Sequence, residues 1–315
     1  MLYVSTRNTT DTYTAYRALH EAKAPDGGIY VPFYLPPFSQ EQLEILRGQT
    51  CAETVTEILN LFFGLRLNVL DVEFAMGKNP FRTEIMQHRI VMLEGWRNPQ
   101  ASFGYLLKSL YSLMTEHKSM GKLPVGWSCV AVEVALLFGM YTVLDPTMQS
   151  LDIAVTSCDY ADLAAIAYAK KMGLPVNITV CSCCDGSALW DLLNRGELAT
   201  GALKKTADRP DYLECYLFNM LGAEAANNYV AAVEHKSVFH ISEEQNAYLG
   251  ENLYVSVVSP DRSDTVAASV YRSNGYSLDT DAALAYGGLQ DYRAATGVSM
   301  QTVILAKNRP IRMKE

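Results

Sequence analysis

Asp152-Ile153-Ala154-Val155-Thr156, then Tyr160 to Met172, then Gly173-Leu174-Pro175, then Val176 to Cys181: this run decides the fold. After Asp152, its residues Ile153-Ala154-Val155-Thr156 are apolar or β-branched and read as a strand. The next stretch carries apolar residues at helical spacing until glycine and proline stop it. A second apolar strand follows at once. A strand, a helix and a strand in that order make a right-handed crossover between parallel neighbours. A sheet built this way needs helices on both of its faces.

The surrounding sequence repeats the pattern. Upstream, Ile90-Val91-Met92-Leu93 is a short strand followed by a helix from about Gly104 to His117. Val130 to Leu144 is apolar apart from Glu133 and too short to span a bilayer comfortably, so it reads as a buried helix. Further upstream, Ser39 with Gln42 forms a capping box ahead of a helix that Gly48 stops. Cys51 to Phe63 places Val55, Ile58, Leu59 and Phe62 on one helical face. Downstream, helices fit Ser187–Asn194, Tyr212–Leu221, Ala223–His235, Thr265–Asn274 and Asp281–Thr296, with a last strand at Thr302–Ala306. The expected fold is α/β, a parallel or mixed sheet covered by helices. Lys118 to Pro124 is the clearest hinge.

Composition bounds the function. At 315 residues with 49% hydrophobic and 19% charged residues, the chain folds around a sizeable core. A net charge of -8 argues against non-specific binding to nucleic acid or anionic membranes. The basic end, Arg309 to Lys314, reads as a solvated tail. The first thirty residues carry Arg7, Asp11, Arg17, His20 and Glu21 and no apolar leader, so a cytoplasmic protein is expected. Seven cysteines, an odd number, fit reduced thiols there.

Several segments carry a family resemblance. Tyr3-Val4-Ser5-Thr6-Arg7, Ala24 to Pro32 with its Pro25-Asp26-Gly27-Gly28 turn, and Leu35 to Ser39 resemble the opening of threonine synthase. Tyr168 to Pro175 is similar to that family's helix end beyond its glycine-rich loop, and Gly275 to Ala283 to its G-Y-x-x-D-P-H-T-A stretch. The resemblance implies the tryptophan synthase beta-like scaffold of fold type II pyridoxal-phosphate enzymes. Gly126 to Ala131 resembles a helix that normally lies far downstream, which implies that part of one domain is deleted near Lys118 to Pro124. The chain then divides into a threonine-synthase-like segment, residues 1–100, and an α/β core with the remnant cofactor fold, residues 101–315.

The resemblance also places the cofactor residues, and they are missing. The family's Schiff-base lysine falls on Gly104, within Ser102-Phe103-Gly104-Tyr105. Its glycine-rich phosphate loop falls on Ser157, Cys158, Asp159, Tyr160 and Ala161, with Asp162 just beyond. Two carboxylates there would oppose a phosphate, each like-charge pair at 4 Å costing about 1 kcal/mol in water and about 4 at an effective dielectric of 20. The threonine facing the pyridine nitrogen falls on Ala282. No cofactor is therefore expected. The expectation is a non-catalytic paralogue that binds a small molecule or a protein, with a second copy or an active threonine synthase as partner.

The alternative is a pyridoxal-phosphate-dependent threonine synthase or lyase, acting on phosphohomoserine or a related amino acid through a relocated lysine. Lys108 shares a helix face with Gly104 and is the candidate amine, although a lysine snorkelling from an amphipathic helix explains it as well. A third class rests on Cys181, Cys183 and Cys184 beside Asp185. Their C-x-C-C spacing lacks the paired pattern of a zinc site, and alternation sends Cys181 and Cys183 to one sheet face. Asp159, Asp162 and Asp185 are candidates to converge at the strand ends on a cation or amine, or to serve as helix caps.

Overall fold

The chain begins with β1 (Leu2–Ser5), β2 (Tyr13–Thr14) and β3 (Tyr30–Pro32), an antiparallel sheet in the order β2-β1-β3. This is a computed structural model, and it describes residues 1–98, 100, 102–116, 125–145, 150–156, 160–183, 188–203 and 210–310. The hinge segment Lys118 to Pro124, and with it the expected deletion point, lies outside the described residues. Helix α1 (Ala15–His20) fills the gap between β2 and β3, and α2 (Gln40–Arg47), α3 (Cys51–Phe63) and α4 (Val69–Met76) follow. The Ser39–Gln42 capping box forms as read, each side chain accepting the other's backbone N–H. Thr50 and Glu53 make a second one ahead of α3.

The remaining strands are β4 (Arg82–Met86), β5 (Ile90–Glu94), β6 (Leu151–Thr156), β7 (Val176–Cys183), β8 (Glu197–Ala199), β9 (Val238–His240), β10 (Leu253–Val257) and β11 (Thr302–Ala306). The remaining helices are α5 (Phe103–Met114), α6 (Trp127–Tyr141), α7 (Tyr160–Lys171), α8 (Ala188–Arg195), α9 (Pro210–Leu221), α10 (Ala223–His235), α11 (Glu243–Asn252), α12 (Pro260–Asn274) and α13 (Thr280–Thr296). Six strands form the central sheet in the order β10-β7-β6-β11-β5-β4. Every neighbouring pair is parallel except β4 with β5. The sheet is mixed, with its antiparallel strand at one edge, and β8 and β9 make a separate antiparallel pair.

Alternation along the strands divides the core in two. On β11, Val303 and Leu305 join one cluster, while Ile304 and Ala306 join the other. The first cluster packs α3, α5, α6, α7 and α9, and the second packs α12 and α13. Helix α6 is buried at all fifteen positions, which is why its sequence shows no polar stripe. The break at residue 100 does not coincide with a break in the sheet. Strands β4 and β5 precede that point and pair within the same sheet as β11. The N-terminal helices also share the first core cluster with α5 to α7.

Candidate functional site

In an open parallel sheet, ligands bind beyond the carboxyl ends of the strands, where the chain reverses its direction of travel across the sheet. That point lies at β11, which enters between β5 and β6 although it comes last in the chain. The turn from β5 into α5 is tied to the end of β11. Gly95 N–H donates to the Ala306 carbonyl at 2.9 Å, and Phe103 N–H to the Lys307 carbonyl at 3.1 Å. Asn98 braces this turn, its amide donating to the carbonyls of Gly95 and Ser102. A Cβ at Gly95 would stand 2.8 Å from the Phe103 ring, so the close approach of ring to backbone requires glycine there.

Gly104 occupies the first turn of α5, half-buried, and the atom nearest a Cβ built on it is the Ser102 hydroxyl at 3.5 Å. Lys108 lies one turn further along the same helix. The amine brought into the cleft is a different one, Lys307, immediately after β11. Its ammonium pairs with the carboxylate of Asp162 in the first turn of α7 and lies 4.9 Å from the centre of the Phe103 ring. The Asp162 side chain is 7% exposed and that of Lys307 23%. Phe103, Asp162 and Glu133 also border a cavity of about 10 Å³, room for about one water.

Sequence reasoning weighed Asp162 as a repulsive charge, or as a cap, and missed Lys307. The pairing cancels the Asp162 charge toward a ligand. A readable signal existed: a lysine directly after a wholly buried, mostly apolar strand at the ligand-binding edge of a parallel sheet. Among the other predicted site residues, Tyr160 is buried at the start of α7. Ser157, Cys158 and Asp159 lie outside the described residues, as do Cys184 and Asp185. Ala282 is buried in the first turn of α13, its N–H donating to Asp279 at 3.1 Å. The second carboxylate oxygen of Asp279 is buried with no hydrogen-bond partner, and burial raises the pKa of this group. Beside them, Glu94 closes the end of β5, accepting from Tyr276 at 2.8 Å and from Arg97 at 2.6 Å.

Cys181 and Cys183 do share one face of β7, both buried in the first core cluster. Among the described residues no group of three or more His, Cys, Asp or Glu side chains could hold a metal ion. No helix among them is long and apolar enough to cross a membrane.

The N-terminal motif has a different task. Ser5 donates to Asp26 at 2.7 Å, and the same carboxylate oxygen accepts the Gly28 N–H at 2.9 Å. Thr6 accepts the Ile29 N–H and donates to Glu214, which is buried on α9. Arg7 grips both oxygens of Glu214, at 3.1 and 3.0 Å. The pair raises the Arg7 pKa, chiefly through the hydrogen bond.

Comparison with known proteins places this architecture. A family model described as "Threonine synthase N terminus" matches residues 2–73. The chain superimposes on threonine synthase from Brucella melitensis, a structure with PLP bound, with a TM-score of 0.82 at 18% identity, covering 98% of this chain and 89% of that one. The fold is threonine synthase-like. The yeast and Escherichia coli threonine synthases agree, with TM-scores of 0.77 and 0.74 at 15% and 14% identity. Each match covers 98% of this chain, and 87% and 89% of theirs respectively. No curated protein matches the sequence. The threonine synthase-like scaffold therefore extends over nearly the whole chain, well beyond the N-terminal segment that the family model matches.

Proposed function

We propose that this threonine synthase-like protein is a non-catalytic member of its fold group that does not hold pyridoxal phosphate. One observation carries the reading: the turn that would present a Schiff-base lysine presents Gly104, and the nearby cleft amine, Lys307, is engaged by Asp162. The cofactor needs a free lysine amine, donors for a phosphate dianion and a polar partner for its ring nitrogen. Here the described part of the expected phosphate site is a closed ion pair, Asp162 with Lys307, and the position expected to face the ring nitrogen is the methyl group of Ala282. These residues do not fit the group, and we derive no chemistry through it. A chain of this kind acts by binding a small molecule or a protein partner.

A second reading has one observation in its favour. If a relocated lysine serves a lyase, Lys307 is the candidate in place of Lys108, because its amine already lies beside Phe103 in the cleft. A single experiment separates the two. The purified chain is mixed with pyridoxal phosphate, its absorbance is recorded, borohydride is added and the peptides are mapped by mass spectrometry. The non-catalytic reading expects no aldimine band, no lysine adduct in the cleft and no conversion of phosphohomoserine. A stoichiometric adduct on Lys307 or Lys108 overturns it.

A further inference from the structure

On the sheet face that packs α7 and α9, away from the strand ends, lies a cleft of about 180 Å³. Lys170 and Lys171, at the end of α7, stand at one side of it. Tyr216 and Asn219 of α9 and Tyr248 and Asn252 of α11 supply other walls. Lys170 is eight residues from Asp162 along α7, which puts the two about 12 Å apart along the axis. The cleft is thus separate from the closed site at the other end of that helix, and its capacity for a ligand does not depend on whether Lys307 carries a cofactor.

The charge in this cleft is not balanced from within. Lys170 is half-buried, and its ammonium donates to the Asn177 carbonyl at 2.7 Å, its one partner among the described residues. Burial lowers its pKa, with no carboxylate among the described residues acting in the other direction. Lys171 is exposed and has no acidic partner among the described residues. Cations at a helix C-terminus are favoured by its dipole, which accounts for solvated lysines. It does not account for one held half-buried beside a cavity, where an ammonium without a counter-charge is costly. The other walls add aromatic surface and amides. The Asn252 amide donates to the Tyr248 carbonyl at 2.9 Å, which leaves its own oxygen as an acceptor toward a ligand.

We propose that this cleft binds a small organic anion, a carboxylate or phosphate held by Lys170 and Lys171 on an apolar body that packs against Tyr216 and Tyr248. The volume sets the size. A cavity of about 150 Å³ holds benzene, so one ring or a short branched chain fits beside the charged group. An acceptor at Asn252 selects among such anions for one that also carries a hydroxyl or amine.

The test titrates four probes into the full chain by calorimetry at low salt: phenyl phosphate, benzoate, inorganic phosphate and benzyl alcohol. Saturable binding of phenyl phosphate and benzoate is expected, with inorganic phosphate weaker and benzyl alcohol not bound. Lys170→Met with Lys171→Met should lose at least tenfold in affinity, while Lys236→Met, at an exposed position outside both sites, loses none. Should the double variant fail to fold, Lys171→Met alone, at an exposed position, should still lose about threefold. The proposal is overturned if no probe binds, if benzyl alcohol binds as well as benzoate, if inorganic phosphate binds as tightly as phenyl phosphate, or if affinity survives the lysine substitutions.

Discussion

Replacing Lys307 by Met keeps most of the apolar stem and removes the charge that Asp162 faces. Asp162 is then a carboxylate with 7% of its side chain exposed and without its ammonium. Breaking a buried pair from one side costs about 3–5 kcal/mol. Lys307 itself is 23% exposed, so water enters the vacated space, and the expectation falls to about 2–4 kcal/mol. Loss of the contact with Phe103 accounts for about 0.5–1 kcal/mol of that. Asp162→Leu should cost less, about 1–2 kcal/mol, because the freed ammonium can turn toward solvent. In the double variant an apolar pair replaces an ionic one, and the net loss should be under about 1 kcal/mol. The cycle then yields a coupling of about 2–5 kcal/mol.

Urea denaturation at neutral pH, followed by circular dichroism, measures each corner. With a slope of about 3 kcal/mol/M, the Lys307→Met loss moves the midpoint down by about 1 M. Effects that simply add, with a coupling below about 0.5 kcal/mol, would refute the claim that Asp162 and Lys307 form a buried, coupled pair. The amine would then be a surface charge resting near Asp162.

Gly28→Ala should unfold the N-terminal sheet, because its Cβ would lie 2.2 Å from the Ser5 hydroxyl and 2.9 Å from both Thr6 and Arg7. A loss of at least about 3 kcal/mol in the urea midpoint analysis is expected. Gly104→Ala has the opposite sign: with an ordinary 3.5 Å contact to the Ser102 hydroxyl and an ordinary helical backbone, it should stabilise by about 0.5–1 kcal/mol and raise Tm slightly. Asp279 gives a pH test. Its folded pKa is raised by burial above the unfolded value near 3.9, so its contribution to stability is fully present below that value and is lost as pH rises through the folded one. Asp279→Asn keeps the capping oxygen, so its stability relative to the parent should increase as the pH is raised from about 4; a difference constant with pH would refute the assignment.

Much of the architecture was legible because its signals are local. Helix α3 occupies Cys51–Phe63, and β11 occupies Thr302–Ala306, as their periodicity and flanking residues predict. Helix α12 starts at Pro260, five residues before the expected Thr265. Ser259 as cap and Pro260 at the first helical position were readable, but the polar first turn hid them. Strand β10 was missed because it leaves α11 with no glycine or proline between them. Strand β4 was missed because it is an edge with alternation too weak to read, its Ile85 lying 84% exposed. The site was less legible for a different reason. Lys307 and Asp162 are 145 residues apart, and only the insertion of β11 between β5 and β6 brings them together.

The residues that carry the N-terminal resemblance to threonine synthase hold the fold together. Ser5, Thr6 and Arg7 bind Asp26, Ile29 and Glu214, and Gly28 packs where no side chain fits. Each contact joins the first strand either to the turn beside it or to α9, more than two hundred residues later. A sequence can keep all of them because the fold requires them, whatever happens at the strand ends. The resemblance at the N-terminus therefore argues for architecture and leaves activity open. On the proposed reading, activity has to be judged at Gly104, and at Lys307, which a carboxylate already holds. On the proposed reading, a lysine introduced at 104 would not by itself create a cofactor site, because the Asp162–Lys307 pair would still occupy the place proposed for the phosphate.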